Sequence, residues 1–329
     1  MTKAILEISE DNQDNLNRNF ALEAIRVTEH AAISCSPWIG RGKQNDADQA
    51  AVNAMRESLN TMDIDGTIVI GEGERDKAPM LYIGEKVGTG KGPEIDIALD
   101  PLEGTGLCAT GSPNSLAVIA FAKKGNFLHA PDVYMDKIAV GNDLPDGVID
   151  LDNSPQVNLK NLAKARKCDV SDLTSIILER PRHEELIAKV REAGARINLI
   201  TDGDIAGIIA TAVPNPSADI YFGIGGAPEG VLAAAALRAT GGQMQGRLLF
   251  DDDEQKERAR RMGIADLDKK YTHFEMAKGD VMFAASGVTD GFMLKGVKHY
   301  QGKNITNSIV MRSATKTVRT IVTEQNLQR

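Results

Sequence analysis

The sequence predicts an α/β protein built as two sheet domains, residues 1–170 and 171–329, the first of them α+β in character. Three observations lead there. Strand-like and helix-like segments alternate through the second half, as in sheets with helices packed on them. Several of the strand-like segments end in a glycine beside a carboxylate. The 329 residues, 42% of them hydrophobic, are enough for roughly two cores.

Taken in order, residues 15–33 (NLNRNFALEAIRVTEHAAI) carry apolar positions at helical spacing. GRGKQND follows as a loop, and helical periodicity returns from Asp48 to Met62. TIVIGEGE (67–74) is a short β-branched strand ending in glycines and acids. EIDIALDPLEGTG alternates, then becomes apolar, as a strand running into a site does. SLAVIAFAKKGNFLHAPD reads as a hairpin turning at KKGN. The polar helical segment 158–172 marks the domain boundary. Beyond it come the strand TSIILER, the helix HEELIAKVREAG, the strand INLITDGD and the helix IAGIIATAV. The strand ADIYFGIGG and the helix APEGVLAAAALRATG close the alternating part. Such alternation favours a mostly parallel sheet, with ligand groups gathered beyond its C-terminal strand ends. The acids stand at those ends in both halves, which predicts one site between the domains.

The formal charge of −8 argues against nucleic acid or an anionic membrane as the main partner, since either calls for a basic face. The segment MTKAILEISEDNQDN lacks the basic-then-apolar layout of a signal peptide, and no apolar run approaches the ~18 residues of a membrane span. Cys35, Cys108 and Cys168 are odd in number and form no CxxC, so reduced thiols in a cytoplasmic protein are expected. A redox role for them stays open, because pairing distance is not readable from spacing.

The acids that follow strands or open helices are Asp48, Glu72, Glu74, Asp76, Asp100, Glu103, Asp202, Asp204 and Glu229. Any one of them alone is an ordinary loop carboxylate or helix cap. Their repeated placement beside glycines suggests a common task. Oxygen donors without neighbouring His or Cys suit Mg²⁺ or Mn²⁺ rather than zinc. Hard cations beside an anion-binding turn are a recurring arrangement for phosphoryl transfer. A turn at Glu103-Gly104-Thr105 offers free backbone N–H groups to a phosphate, and Gly104 permits close approach. Thr105 can orient an attacking water if Asp76 accepts the proton.

The hexapeptide DPLEGT (100–105) resembles the D-P-[IL]-[DE]-G-[ST] signature of the lithium-sensitive, metal-dependent sugar and inositol phosphatases. The longer runs WIGRGKQNDADQAAVNAMR, DGTIVIGEGERDKAPMLYIGEKVGTG, PRHEELI, DGD and YFGIGGAPEG together resemble class II fructose-1,6-bisphosphatases over nearly the whole chain. The wording is most similar to the cyanobacterial branch that also cleaves sedoheptulose-1,7-bisphosphate. The resemblance implies a layered α-β-α-β-α sugar-phosphatase fold, a homotetramer, two or more Mn²⁺ or Mg²⁺ ions, and AMP as a candidate inhibitor. It implies Asp48, Glu72, Asp100, Glu103 and Glu229 as metal ligands, and Asp76 and Thr105 as the catalytic pair that prepares the water. It also implies that Glu103, Gly104 and Thr105 hold the scissile 1-phosphate. The sugar and its distal phosphate fall to Tyr134, Arg180, Pro181, Arg182, Asp202, Gly203, Asp204 and Gly226. Arginine suits a phosphate that must be gripped but not cleaved.

One position departs from the pattern: Gln44 stands where many bacterial relatives have lysine, and Lys43, one residue earlier, is a candidate substitute although neighbouring side chains rarely point the same way. GEKVGTGKG (84–92) lacks the GK[ST] ending of a Walker A loop. DDDEQKERARR (251–261) is a solvated helix face, and the five histidines lack metal spacing. Two other readings remain at this level. One is an inositol-phosphate or 3′-phosphoadenosine 5′-phosphate phosphatase. The other is a silent metal or nucleotide sensor, although a sensor has no need of Asp76 and Thr105.

Overall fold

The computed structural model describes residue 16 and residues 18–73, 80–214 and 216–326. Helices α1 (Phe20–Cys35) and α2 (Gln44–Leu59) precede strand β1 (Asp65–Ile70), a two-residue β2 (Lys86–Val87) and the long β3 (Glu94–Glu103). From β3 the chain turns at Gly104 into a short helix α3 (Thr105–Thr110), then forms β4 (Leu116–Lys123) and β5 (Tyr134–Val140). Helix α4 (Pro155–Arg166) starts at Ser154, whose side chain accepts the Val157 N–H, with proline in the first turn. The predicted alternation then appears: β6 (Thr174–Leu178), α5 (Glu184–Glu192), β7 (Arg196–Ile200), α6 (Asp204–Ile209), β8 (Ile220–Gly226) and α7 (Ala227–Thr240). The rest is β9 (Gln243–Leu249), α8 (Asp253–Arg261), β10 (Lys270–Thr272), α9 (His273–Met276), β11 (Val281–Gly287), β12 (Lys298–Tyr300), β13 (Lys303–Arg312) and β14 (Thr317–Asn326).

Among the described residues the strands form two mixed sheets. The first runs β12-β13-β11-β4-β3-β1-β2, with β14 on β13, and the second runs β10-β9-β5-β8-β6-β7. Five layers result. Helices α1 and α2 cover the outer face of the first sheet, and α4 and α5 cover the outer face of the second. Helices α6, α7 and α9 fill the space between. The alanine run of α7 explains how one helix serves two sheets. Ala233 to Ala236 are fully buried, and side chains this small let the helix touch β3, β11 and β13 on one side and β5, β8 and β9 on the other. No helix among the described residues is long and apolar enough to cross a membrane.

Two expectations need correction. The second sheet is not mostly parallel: among its strands only β8, β6 and β7 run parallel to one another. The reason is β5, which enters between β8 and β9 antiparallel to both. The hairpin at KKGN also does not form. Its turn is present, with the Asn126 N–H donating to the Lys123 carbonyl at 3.1 Å, but β3 and β11 already occupy both edges of β4. The returning chain makes only a bridge from Phe127 to Ala277 before entering the second sheet as β5. Strands β11 to β14, from the far end of the chain, complete the first sheet. The two sheets therefore exchange strands across the boundary expected near residue 170.

Candidate active site

The site begins with an irregularity in β3. In a regular strand, residues three apart point to opposite faces. Asp100 pairs with Val118 and Glu103 with Leu116, so three steps on β3 match two on β4, which is a β-bulge. Pro101, which has no N–H for the ladder, lies inside it. The Asp100 carboxylate accepts the Leu102 N–H at 3.0 Å and fixes the turn. The bulge brings Asp100 and Glu103 to one side. Oxygens of Asp100, Glu103 and Glu229 lie within 4.8 Å of one another.

Glu229 arrives from the first turn of α7. The preceding glycines are required by contact. A Cβ at Gly226 would sit 1.8 Å from Glu229 Oε2, and one at Gly225 would sit 2.1 Å from Asp204 Oδ2. Asp48, on the second turn of α2, and Glu72, just past β1, line the same cavity of about 350 Å³. Gly104, Thr105, Asp132, Asp202, Pro228 and Leu232 complete much of its wall. Gly104 has φ +73°, a conformation that lets the chain leave β3 and enter α3 within one residue.

Among the described residues, the charged side chains that line this cavity are all acidic. Burial pushes Glu72 up to about 8, helped by Asp100 and Asp48, and burial pushes Asp100 up to about 6. Burial, then Asp204, lifts Glu229 to about 7 despite the nearby Lys137 cation. Glu103 is raised well above the carboxylate range by burial and by Asp100, Asp204 and Glu229. Burial alone raises Asp48. Glu229 Oε2 is buried with no hydrogen-bond partner among the described residues. Buried acids with unfilled acceptors and no histidine or cysteine in the described wall fit a hard divalent cation.

A second group of polar side chains flanks this cavity. Asp202-Gly203-Asp204 follows β7, with Gly203 at φ +83° opening α6. The Ile205 N–H donates to Glu103 Oε1 at 3.4 Å, which ties this turn to the first. Arg180 reaches Asp202 at 3.4 Å and donates to the Thr201 carbonyl, while burial raises Asp202. Arg182 donates twice to the Ile224 carbonyl, at 2.8 and 3.1 Å. Its guanidinium lies 4.7 Å from the centre of the Tyr134 ring. Tyr134 is half exposed and pairs with Gly226 across β5 and β8. Pro181 starts the short 3₁₀ turn between Arg180 and α5, and with Arg180 it borders a separate depression of about 400 Å³. Asp76 and Glu74 lie outside the described residues.

The Gln44 amide lies near Gly106 at the start of α3, where an added Cβ would meet its Nε2 at 3.4 Å. Lys43 does not take its place. The Lys43 ammonium is 3.5 Å from Asp46 and 5.4 Å from the centre of the Trp38 ring. Sequence reasoning missed two residues. Asp132 lines the cavity, two residues before Tyr134 opens β5. Lys137 is fully buried and meets Asp204, and its only sequence signal was a lysine on the same strand face as Met135 and Ala139. His183 has a packing role, as expected. Its Nδ1–H donates to the Leu178 carbonyl at 2.7 Å and its Nε2 accepts the Ile224 N–H at 2.8 Å, which holds it neutral. Burial lowers its pKa further.

Known proteins resemble this chain over nearly its whole length. The profile of the bacterial, glpX-encoded fructose-1,6-bisphosphatases matches residues 18–325. Fructose-1,6-bisphosphatase 1 class 2 of Escherichia coli strain K12 is 46% identical over 328 residues, covering 95% of this chain and 97% of its own. The class 2 fructose-1,6-bisphosphatases of Escherichia coli O6:H1 and Shigella flexneri match to the same extent. On its sequence, the chain belongs to the glpX-encoded bacterial fructose-1,6-bisphosphatase family.

Proposed function

We propose that the protein hydrolyses the 1-phosphate of fructose-1,6-bisphosphate, giving fructose-6-phosphate and phosphate. The observation that carries this reading is the bulged DPLEG turn facing Glu229, in a chain of this family. Asp48, Glu72, Asp100, Glu103 and Glu229 would hold two or more Mg²⁺ or Mn²⁺ ions. The chemistry supplied at these oxygens is positive charge against the phosphate and acidification of a water.

The remaining work belongs to the chain itself. The backbone from Glu103 to Thr105 offers N–H groups to the transferring phosphate, and Gly104 leaves room for it. The Thr105 hydroxyl orients the attacking water, and Asp76 accepts its proton. Tyr134, Arg180, Pro181, Arg182, Gly203 and Gly226 frame the sugar and the phosphate that stays. Asp202 and Asp204 accept hydrogen bonds from sugar hydroxyls. The stacked pair of Arg182 and Tyr134 favours a bisphosphate over a monophosphate such as inositol-1-phosphate.

The same proposal includes sedoheptulose-1,7-bisphosphate as a second substrate, a homotetramer and a cytoplasmic location. The three free cysteines accord with that location. Phosphate release decides the substrate. Fructose-1,6-bisphosphate, sedoheptulose-1,7-bisphosphate, inositol-1-phosphate and 3′-phosphoadenosine 5′-phosphate are each assayed with Mg²⁺, with Mn²⁺, with chelator and with added AMP. Metal-dependent release from fructose-1,6-bisphosphate is expected. Background rates on it with both metals overturn the reading, and background on the sedoheptulose sugar removes only the second substrate.

A further inference from the structure

Lys137 is a costly residue to place where it is. Its side chain is fully buried in the middle of β5, where an unpaired ammonium is strongly disfavoured. The fold makes room for it with glycine. A Cβ at Gly230 would lie 3.3 Å from its Cδ, and one at Gly225 would lie 3.0 Å from its Nζ. Among the described residues the ammonium donates to Asp204 Oδ2 and, at 2.8 Å, to the Gly226 carbonyl. These partners belong to different elements: Asp204 opens α6, and Gly226 ends β8 three residues before Glu229. One cation therefore fastens both segments to β5.

The alternative is a lysine that only fills space, but its surroundings argue otherwise. Asp204 is 5% exposed and close enough to Glu103 and Glu229 to disfavour their charged forms. Of the charged side chains near Asp204 named above, only Lys137 is positive. The ammonium engages Oδ2 of Asp204, which leaves Oδ1 as the carboxylate's second acceptor. A neutral residue at 137 would leave a third acid unbalanced beside Glu103 and Glu229, free to rotate and repelled by both.

We propose that Lys137 is a positioning residue for sugar recognition, holding the Asp204 carboxylate in place through Oδ2 so that its other oxygen meets a substrate hydroxyl. This rests on the proposed role of Asp204 in the fructose-1,6-bisphosphatase reaction. Lys137 itself touches neither the substrate nor the reacting atoms.

The test is a double-mutant cycle of Lys137→Met and Asp204→Asn on the full chain, read as kcat and KM for fructose-1,6-bisphosphate with saturating Mn²⁺. Wild-type turnover is the control that tests the substrate reading alone. Lys137→Met is expected to raise KM about tenfold or more with kcat changed less than about threefold. Bound Mn²⁺, counted by electron paramagnetic resonance, should stay the same. The double variant should have the KM of Asp204→Asn alone. A KM within about threefold of wild type, lost Mn²⁺ binding, or a double variant distinctly worse than Asp204→Asn overturns the proposal. Should Lys137→Met fail to fold, the comparison of Asp204→Asn with the double variant decides, because the double variant leaves no unbalanced charge at this pair.

Discussion

Two turns of nearly the same shape meet in this site and differ in how their charge is balanced. Gly104, at φ 73° and ψ 54°, leads from β3 into the six-residue α3. Gly203, at φ 83° and ψ 57°, leads from β7 into the six-residue α6. Both are preceded by an acid, Glu103 at the end of β3 and Asp202 two residues past β7, and the Ile205 N–H joins them through Glu103. At the second turn the protein supplies its own cations, Arg180 for Asp202 and Lys137 for Asp204. At the first, Asp100 and Glu103 face Glu229 with no ion pair to a cation among the described residues, and burial raises all three. The same backbone thus carries acids with cationic side-chain partners in one place and, among the described residues, acids without them in the other. The first turn is where the proposed metal would sit.

The strongest way to break this contrast is to remove an acid from the first turn. Asp100→Ala or Glu103→Ala should lower kcat/KM about a thousandfold or more, the equivalent of several kcal/mol of charge stabilisation. The metal-free fold should survive, because one fewer carboxylate relieves repulsion. Steady-state phosphate release and thermal melting measure the two effects. Unchanged turnover in either variant would remove the carboxylate from the metal site.

The next test is the pH dependence of the metal-free protein. Asp100, Glu229 and Glu72 have folded-state values of about 6, about 7 and about 8, above their ordinary 3.8, 4.5 and 4.5. Their protonated forms favour the folded state. That stability is fully present below about pH 4 and is lost as pH rises through 6, 7 and 8. Melting temperature in chelator should therefore fall from pH 6 to pH 8.5. Added Mn²⁺ should raise it more at the alkaline end, since a cation binds the deprotonated acids. A flat profile in chelator would mean that the cluster already holds a counter-charge.

The smallest effect is expected at the second turn. Arg180→Ala leaves Asp202, whose side chain is 43% exposed, able to be solvated by water, so stability should change by less than about 1 kcal/mol. KM for the bisphosphate should rise about tenfold through loss of a phosphate contact. Denaturant melts and steady-state kinetics separate the two. An equal loss from kcat would place Arg180 in the chemical step instead.

Much of this was legible in the sequence because the chemistry is local. DPLEGT reports its own proline, glycine and acids, and the α/β alternation from Thr174 to Thr240 follows from periodicity. The bulge was not legible. Whether Asp100 and Glu103 share a face depends on how β3 registers with β4, which is set by a partner strand. The KKGN turn was read correctly but its pairing was not, because a turn is specified by four residues and a strand's neighbour by the whole sheet. Lys137 escaped because a lysine in a strand normally faces water. Only the glycines of β8 and α7, distant in sequence, make its burial possible.

The exchange of strands between the sheets also bears on how the protein is made. Strand β4 pairs with β3 immediately before it and with β11, roughly 160 residues later. At a synthesis rate of roughly 5–20 residues per second, its second edge stays without its native partner for on the order of ten seconds. That exposed edge is AVIAFA, an apolar, uncharged segment with high β-propensity. The strand that supports the DPLEGT bulge is thus the one most exposed to wrong pairing on the ribosome, and a nascent chain halted before Val281 would carry that edge open.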